Sequence, residues 1–493
     1  RQNEEGSGRK SKWVNRLIAL SMTVVMAGSM IGCGAGNDTS SGTNEAAGSE
    51  AGGTVDDVAD TSDTGADEAE DSSAGKDAVT VVYNTNNGDM AKWDLEGLYD
   101  GEINWVGYSE NELDNKILLE MTTGAKTFDI AITQAAGAKQ FGSLGLLEPL
   151  EPLEDMDDIF KGNVEQHSLG DDLYGYPLTG DAMIMYVNTK IWEEAGYTED
   201  DIPKTLEEYG EKAIHLTMDS AGKRGDEEGF NKNDVVQWGT MYMGGSVVGN
   251  PWELATLSYG NGAKYIKKDY SNNTCEVVCN SPEMVGTLQF IKDLADAGAM
   301  PEGYVGYDYN EVDAQWISGK IGLFINWPYL LDRCSGTEME GNVKVYGLPA
   351  GSTGKSESCL GGWSVNVFKD APHKEDALKL AKALASAEAD YNYCKLQGSS
   401  TARTSVLERQ NEEYKAAGED ILIEVNEAYL ASASAGAEMD LAQTNAAATD
   451  CQQTAAQYIN MALTGQLSCQ ESMDQLKVEL EDILVANDYM QGN

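Results

Sequence analysis

The chain has 493 residues, of which 34 are lysine or arginine and 82 are aspartate or glutamate, giving a net charge of −48. Such acidity excludes a nucleic-acid binder, which needs a basic face for phosphate, and argues against docking on anionic lipid by charge. Three histidines (His167, His215 and His373) leave little for zinc-hydrolase or histidine-base chemistry, while 41% hydrophobic residues supply a large core.

At the start of the chain, Arg9, Lys10, Lys12 and Arg16 precede an uncharged run over 17–31, followed by Gly32-Cys33. A basic stretch, a short apolar core and a small-residue cleavage site predict an export signal over 1–33. The run is shorter than the roughly 20 apolar residues of a bilayer-spanning helix. Met30-Ile31-Gly32-Cys33 resembles a bacterial lipobox, which implies lipidation at Cys33 and anchoring on the extracellular face of the cytoplasmic membrane. Residues 34–77 then hold 12 acidic residues against Lys76 alone, with no aromatic residue. Such a segment buries too little surface to offset its ordering entropy, so it is expected to be a disordered, self-repelling tether.

From residue 78 the pattern alternates strand and helix. Residues 78–83, 128–133, 183–187, 321–326, 343–346 and 363–368 are short β-branched or apolar runs that predict strands. Helical spacing relates Leu113, Ile117, Leu118 and Met121; Met284, Leu288 and Ile291; Ala377, Leu380, Ala381 and Leu384; and Met473, Leu476, Leu480 and Ile483. The second of these helices is expected to end near Gly298. Strands separated by helices predict parallel α/β layers, and about 415 residues after the tether favour two α/β lobes over one sheet.

Catalytic and metal motifs are missing. HExxH, CxxC and GxSxG do not occur. The run 350–356 fails as a phosphate loop because Pro349 stands where the first glycine is required. The oxygen-rich run from Asp226 to Asp234 lacks the spacing and closing glutamate of an EF-hand, and is read as a solvated loop with calcium as the alternative. Cys275 and Cys279 are four residues apart, about 13 Å in a straight strand, too far for a disulfide unless the chain turns back. Cys334 with Cys359 and Cys451 with Cys469 are possible bridges, or all are buried thiols.

The aromatic balance favours a wet, flat ligand: 23 Tyr and 9 Trp stand against 7 Phe. Tyrosine and tryptophan join an apolar face to a hydrogen-bonding tip, which suits the C–H face and hydroxyl rim of a sugar. Four ordered stretches then resemble a known family. They are Phe128-Asp129-Ile130-Ala131-Ile132 ahead of Gly145-Leu146-Leu147-Glu148-Pro149-Leu150; Tyr174-Gly175-Tyr176-Pro177-Leu178 ahead of Met185-Tyr186-Val187-Asn188-Thr189; Trp316-Ile317-Ser318-Gly319-Lys320-Ile321-Gly322-Leu323 ahead of Asn326-Trp327; and Gly361-Gly362-Trp363-Ser364. Together the chain resembles extracellular solute-binding protein family 1, the carbohydrate-binding lipoproteins of ABC importers. Phe128 stands where the family usually has proline, and Leu323 where it has methionine.

The resemblance implies a two-lobed periplasmic-binding-protein-like α/β fold with a hinge and an interlobe cleft. Crossings are expected near 179–182, 361–364 and 431–439. Lobe one is then 78–180 plus 363–434, and lobe two is 181–362 plus 435–493. Carried over residue by residue, the resemblance implies a ligand site of Asn84, Asn86, Asn87, Thr133, Gln134, Asp181, Trp252, Trp327 and Trp363. Arg403 is expected either to reach the ligand or to cap the lobe. It implies a monomer without cofactor, metal or catalytic residue, which closes over a sugar and docks on the transmembrane subunits of an ABC permease. Two alternatives stand beside this reading: a surface-anchored carbohydrate-active enzyme with a carboxylate pair, and a binder of a cationic solute such as a polyamine, suggested by the net charge.

Overall fold

The computed structural model describes residues 78–493, apart from 270–273, 435, 443–446, 488–489 and 492–493. The expected signal, the tether and Cys33 lie outside the described residues, as do the side chains of Asn86 and Met121.

The first lobe is built on a five-stranded sheet in the order Ile103–Tyr108, Val79–Asn84, Ile130–Gln134, Trp363–Val367, Tyr176–Pro177. The first three strands are parallel. Trp363–Val367 runs antiparallel to both its neighbours, because here the chain returns from the second lobe and enters the sheet at its cleft end. Val79, Val81, Val82, Ile130, Ile132, Val365 and Val367 are almost wholly buried, which is why these stretches read as continuous apolar runs. The Lys374–Leu384 helix covers one face with Ala377, Leu380, Ala381 and Leu384, all fully buried.

The second lobe holds a three-stranded sheet, Leu323–Asn326, Ile184–Asn188, Val343–Tyr346, and both its pairings are antiparallel. Here the expectation of parallel layers fails; the three-stranded parallel run belongs to the first lobe's sheet. Ile184–Asn188 and Leu323–Asn326 are buried on both faces, while the edge strand Val343–Tyr346 is mostly half-buried. Met185 and Val187 pack into one core with Leu254, Ile459 and Leu476, while Ile184 and Tyr186 face the other way onto Trp316 and Phe324. Alternation along the strand therefore feeds two cores rather than core and solvent, so no polar beat marks the face.

The helix Asp420–Ser434 packs Val425, Ala428 and Tyr429 against that second face. The expected lobe boundary at 434 therefore differs from the packing: spacing of three and four residues aligns these side chains toward the second sheet. Leu407 of the preceding Thr404–Ala417 helix joins the same core.

Between the lobes lies a third, minimal sheet: Ala437–Glu438, Cys359–Gly361, Asp181–Ala182. Leu360 pairs with both Ala182 and Glu438, and Gly361 with Asp181. The three expected crossings thus meet as neighbouring strands.

The proposed cysteine pairs are not formed. Cys279, Cys334, Cys359, Cys394 and Cys469 are buried thiols, so none of the three candidate bridges exists. The Asp226–Asp234 loop is organised by its neighbour Asp219, whose carboxylate accepts the backbone N–H groups of Ala221, Lys223 and Asn231 at 2.9–3.0 Å. Among the described residues no cluster of His, Cys, Asp and Glu is arranged to hold a metal.

Candidate functional site

The cleft forms where strand ends of the first lobe, the crossing sheet and helices of the second lobe converge. It encloses about 1030 Å³ of empty space, its open mouth included. Six expected site residues line it: Asn87, Gln134, Asp181, Trp252, Trp327 and Trp363.

Asp181 lies on a crossing strand. Its Oδ2 accepts from Thr179 Oγ1 at 3.4 Å, and that hydroxyl also accepts the Trp363 backbone N–H at 3.0 Å. One threonine thus couples the carboxylate to the neighbouring crossing. Burial pushes the Asp181 carboxyl up to about 7, opposed by hydrogen bonds from the Ser400 backbone and Thr179 and reinforced by Asp390.

Gly361 and Gly362 form the floor beside it. At Gly361 a Cβ would stand 2.9 Å from the Trp327 ring. Gly362 has φ +122°, and a Cβ there would stand 2.4 Å from the Thr179 carbonyl oxygen. Only glycine allows both approaches.

Trp327 follows the Leu323–Asn326 strand. Its backbone N–H is held by Asn326 Oδ1 at 2.7 Å, and its carbonyl by the Tyr186 hydroxyl at 2.8 Å. Its ring meets Trp252 edge-on, with centroids 6.0 Å apart and planes at 61°. Trp252, on the Gly249–Tyr259 helix, donates its indole N–H to Gln452 Oε1 at 2.7 Å. The Trp252 indole and the Trp327 backbone are therefore held in place before any ligand arrives.

Asn87 is 3% exposed, and its Oδ1 accepts the Tyr393 hydroxyl at 2.6 Å. Its Nδ2 has no hydrogen-bond partner, so the cleft holds a buried donor awaiting an acceptor. The Gln397 amide donates to the Asn87 carbonyl from the end of the Ala387–Gln397 helix.

Three expected residues stand off the cleft. Asn84 is buried at the end of the first strand. Thr133 is buried, with its hydroxyl donating to the Gln134 carbonyl and accepting from Asn366 Nδ2, each at 2.9 Å. Arg403 is 1% exposed and points into the first lobe's rim. Its guanidinium meets Asp155 at 2.7 Å, Asp158 at 3.2 Å and the Ala385 carbonyl at 2.7 Å. Of its two expected roles, the geometry is that of a cap. Asn86 shares the Thr85–Asn87 turn.

The second lobe supplies lining residues that sequence reasoning missed. Tyr309, Asn310 and Asp313 come from one face of the Tyr309–Ile317 helix, and Tyr329 and Arg333 from the segment after Trp327. Asp313 accepts the Tyr329 hydroxyl at 3.0 Å. Burial pushes the Asp313 carboxyl up to about 6, with Tyr329 and Arg333 opposing. Ser399 and Gln397 complete the wall from the first lobe. The site therefore offers indole faces, amide groups, two carboxyls and one guanidinium, a set able to stack on and hydrogen-bond a polar ligand.

The sequence matches the bacterial extracellular solute-binding protein family over residues 89–391. A probable ABC transporter-binding protein of Deinococcus radiodurans is 26% identical over 243 residues, 46% of this chain and 51% of its own. The chain thus spans about half the length of that curated relative. Among solved structures, maltose-bound MalE3 of T. maritima superposes with a TM-score of 0.68 at 22% identity, over 83% of this chain and 100% of that one. A solute-binding protein of Thermotoga lettingae bound with α-D-tagatose gives 0.68 at 20% identity, over 83% and 99%. At these identities the structures establish a shared fold. With the family match covering residues 89–391, more than half of the chain and both crossings that flank the second lobe, the chain belongs to the bacterial extracellular solute-binding proteins.

Proposed function

We propose that the protein is the substrate-binding subunit of an ABC importer that captures a sugar, oligosaccharide or polyol between its lobes and hands it intact to a membrane permease. One observation carries the reading: three indoles, an unsatisfied amide donor and a buried carboxyl converge on one cleft shared by both lobes. Indoles cover the C–H face of a sugar, and Asn87, Gln134 and Asp181 take its hydroxyls. Closure of one lobe on the other completes the contacts, so ligand shifts the population toward the closed form. Stacking plus several hydrogen bonds reaches micromolar affinity, about −8 kcal/mol. The ligands named for the T. maritima and Thermotoga lettingae structures, maltose and tagatose, support this class.

The protein acts as a binder and a monomer, without cofactor, and is held at the extracellular face of the membrane by a lipid on Cys33. Lipidation is checked by membrane fractionation of the Cys33→Ala variant, which is expected in the soluble fraction. A thermal-shift screen against sugars and polyols tests the ligand class, because a ligand at 100 times its dissociation constant adds about 2.7 kcal/mol. Chromatography of the same mixtures separates binder from enzyme. Stabilisation with unchanged sugar supports the proposal, and new product favours the enzyme reading. Loss of binding in moderate salt would favour the cationic solute.

A further inference from the structure

A second set of polar side chains, none of them lining the cleft, joins the lobes beside the crossing sheet. Lys139 and Gln140 lie on the Ala135–Ser143 helix, which starts directly after the cleft residue Gln134. Lys139 Nζ is 3.0 Å from Glu438 Oε1, with the side chains 6% and 21% exposed. Glu438 sits on the crossing strand that pairs with Leu360, next to the cleft residue Gly361. Gln140 Nε2 donates to Thr449 Oγ1 at 2.8 Å, and that hydroxyl donates to Asp114 Oδ2 at 3.4 Å. Asp114 is on the first-lobe helix Glu110–Thr123, and Thr449 is in the first turn of the second-lobe helix Ala448–Leu463. One turn further along that helix, Gln452 holds the indole N–H of Trp252.

The geometry points to Lys139, Gln140 and Asp114, with Glu438 and Thr449, as a clasp that fixes the angle between the lobes and so sets ligand affinity without touching ligand. A lysine this buried has given up most of its water, and its ammonium is satisfied by the glutamate only while the two elements stay together. The Thr449 hydroxyl is used as donor and acceptor at once, both times by the first lobe. Both contact sets continue the cleft walls, from Gln134 to Gln140 on one side and from Trp252 through Gln452 to Thr449 on the other. Rotation that opens the cleft along this edge pulls Thr449 away from Gln140 and Asp114, and it strains the Lys139–Glu438 pair, which lies nearer the crossing sheet, without separating it as far. Apparent affinity scales with the fraction of molecules in the binding-competent arrangement. A clasp that raises this fraction raises affinity by the same factor.

This inference rests on the closure mechanism proposed above, and its test is chosen to stand apart from the identity of the ligand. In the full chain, spin labels on the two lobes report the interlobe distance distribution of Lys139→Met, Thr449→Val and their combination, before any sugar is added. The expected result is a broader, longer distribution in each variant, with melting close to wild type. For whichever sugar the screen identifies, the dissociation constant is expected to rise about tenfold, mainly through faster release. Thr449→Ser keeps the hydroxyl and is expected to behave as wild type. An unchanged distance distribution in Lys139→Met and Thr449→Val overturns the clasp, as does a Thr449→Ser variant as open as Thr449→Val. If either variant fails to fold, the other carries the measurement. A broadened distribution in a protein that binds no carbohydrate supports the clasp while sinking the ligand class.

Discussion

The indole of Trp327 lies against Gly361 so closely that a Cβ on that glycine would stand 2.9 Å from two ring carbons. The aromatic wall of the cleft and the crossing strand are therefore fitted to one another. Gly361→Ala is expected to tilt the indole into the cleft and to weaken ligand binding tenfold or more, with little change in melting temperature, because a ring can move where backbone cannot. Gly362→Ala differs: its φ of +122° and the Thr179 carbonyl 2.4 Å away leave no room. That change is expected to cost about 1–3 kcal/mol of stability. Calorimetric titration and thermal melts of the two variants, side by side, check the contrast.

Asp181 links binding and stability to pH with opposite signs. Burial pushes its carboxyl up to about 7, and in the proposed binding mode the ionised form accepts from ligand hydroxyls. Affinity is therefore expected to rise between pH 6 and 8, and Asp181→Asn to weaken binding and flatten the profile.

The ligand-free protein follows the reverse trend. A carboxyl near 3.9 in the unfolded chain and near 7 in the folded one binds more protons when folded, so its contribution is lost as pH rises through 7. Asp390, raised to about 7 by burial, and Glu253, raised to about 8, act in the same direction. Melting temperature is expected to fall from pH 5 to pH 8. A rise over that range would refute this account of the three carboxyls.

Arg403 is expected to matter for folding rather than for ligand. It joins Asp155 and Asp158 to the Ala385 carbonyl while itself 1% exposed. Arg403→Met is expected to destabilise by about 1.5–3 kcal/mol, the range for hydrogen bonds to charged groups. Asp155 is half exposed, which keeps the loss below that of a fully buried pair. The dissociation constant of the folded fraction should be unchanged, as titration well below the melting temperature would reveal.

The buried thiols make a further check. Burial pushes the Cys334 thiol up to about 11 and those of Cys359 and Cys394 well above the usual thiol range. Thiol reagents need thiolate and access. Folded protein is expected to react slowly with a thiol reagent and rapidly after unfolding, and its melting temperature to be the same with and without reductant.

Much of this architecture could be read from the chain. Strands at Val79–Asn84 and Ile130–Gln134 declare themselves because both faces are buried. Helices such as Lys374–Leu384 and Cys469–Ala486 declare themselves by one apolar stripe. The motifs around Tyr176 and Gly361 mark the first two crossing strands, whereas the third, Ala437–Glu438, carries no motif and is expected only from the resemblance. What stayed hidden depends on how elements turn in space. Tyr309, Asn310 and Asp313 reach the cleft because the Tyr309–Ile317 helix presents that face to it, and nothing in a tyrosine, an asparagine and an aspartate at that spacing separates cleft from solvent. The resemblance, with its third crossing near 431–439, places helix Asp420–Ser434 in the first lobe, but Val425, Ala428 and Tyr429 pack on the second lobe's sheet, and an apolar stripe does not name its partner. Thr133 and Gln134 are neighbours on one strand, so their side chains point to opposite faces; only Gln134 lines the cleft.

The crossing sheet places Asp181 and Gly361 on the very segments shared by both halves of the molecule. Points near an axle hardly travel when the wheel turns. A guest that first lands on these two residues is held by contacts that survive every opening angle, while the indole and amide walls swing in afterwards. Capture would then proceed in two kinetic stages, a fast landing set by the axle and a slower embrace set by the walls.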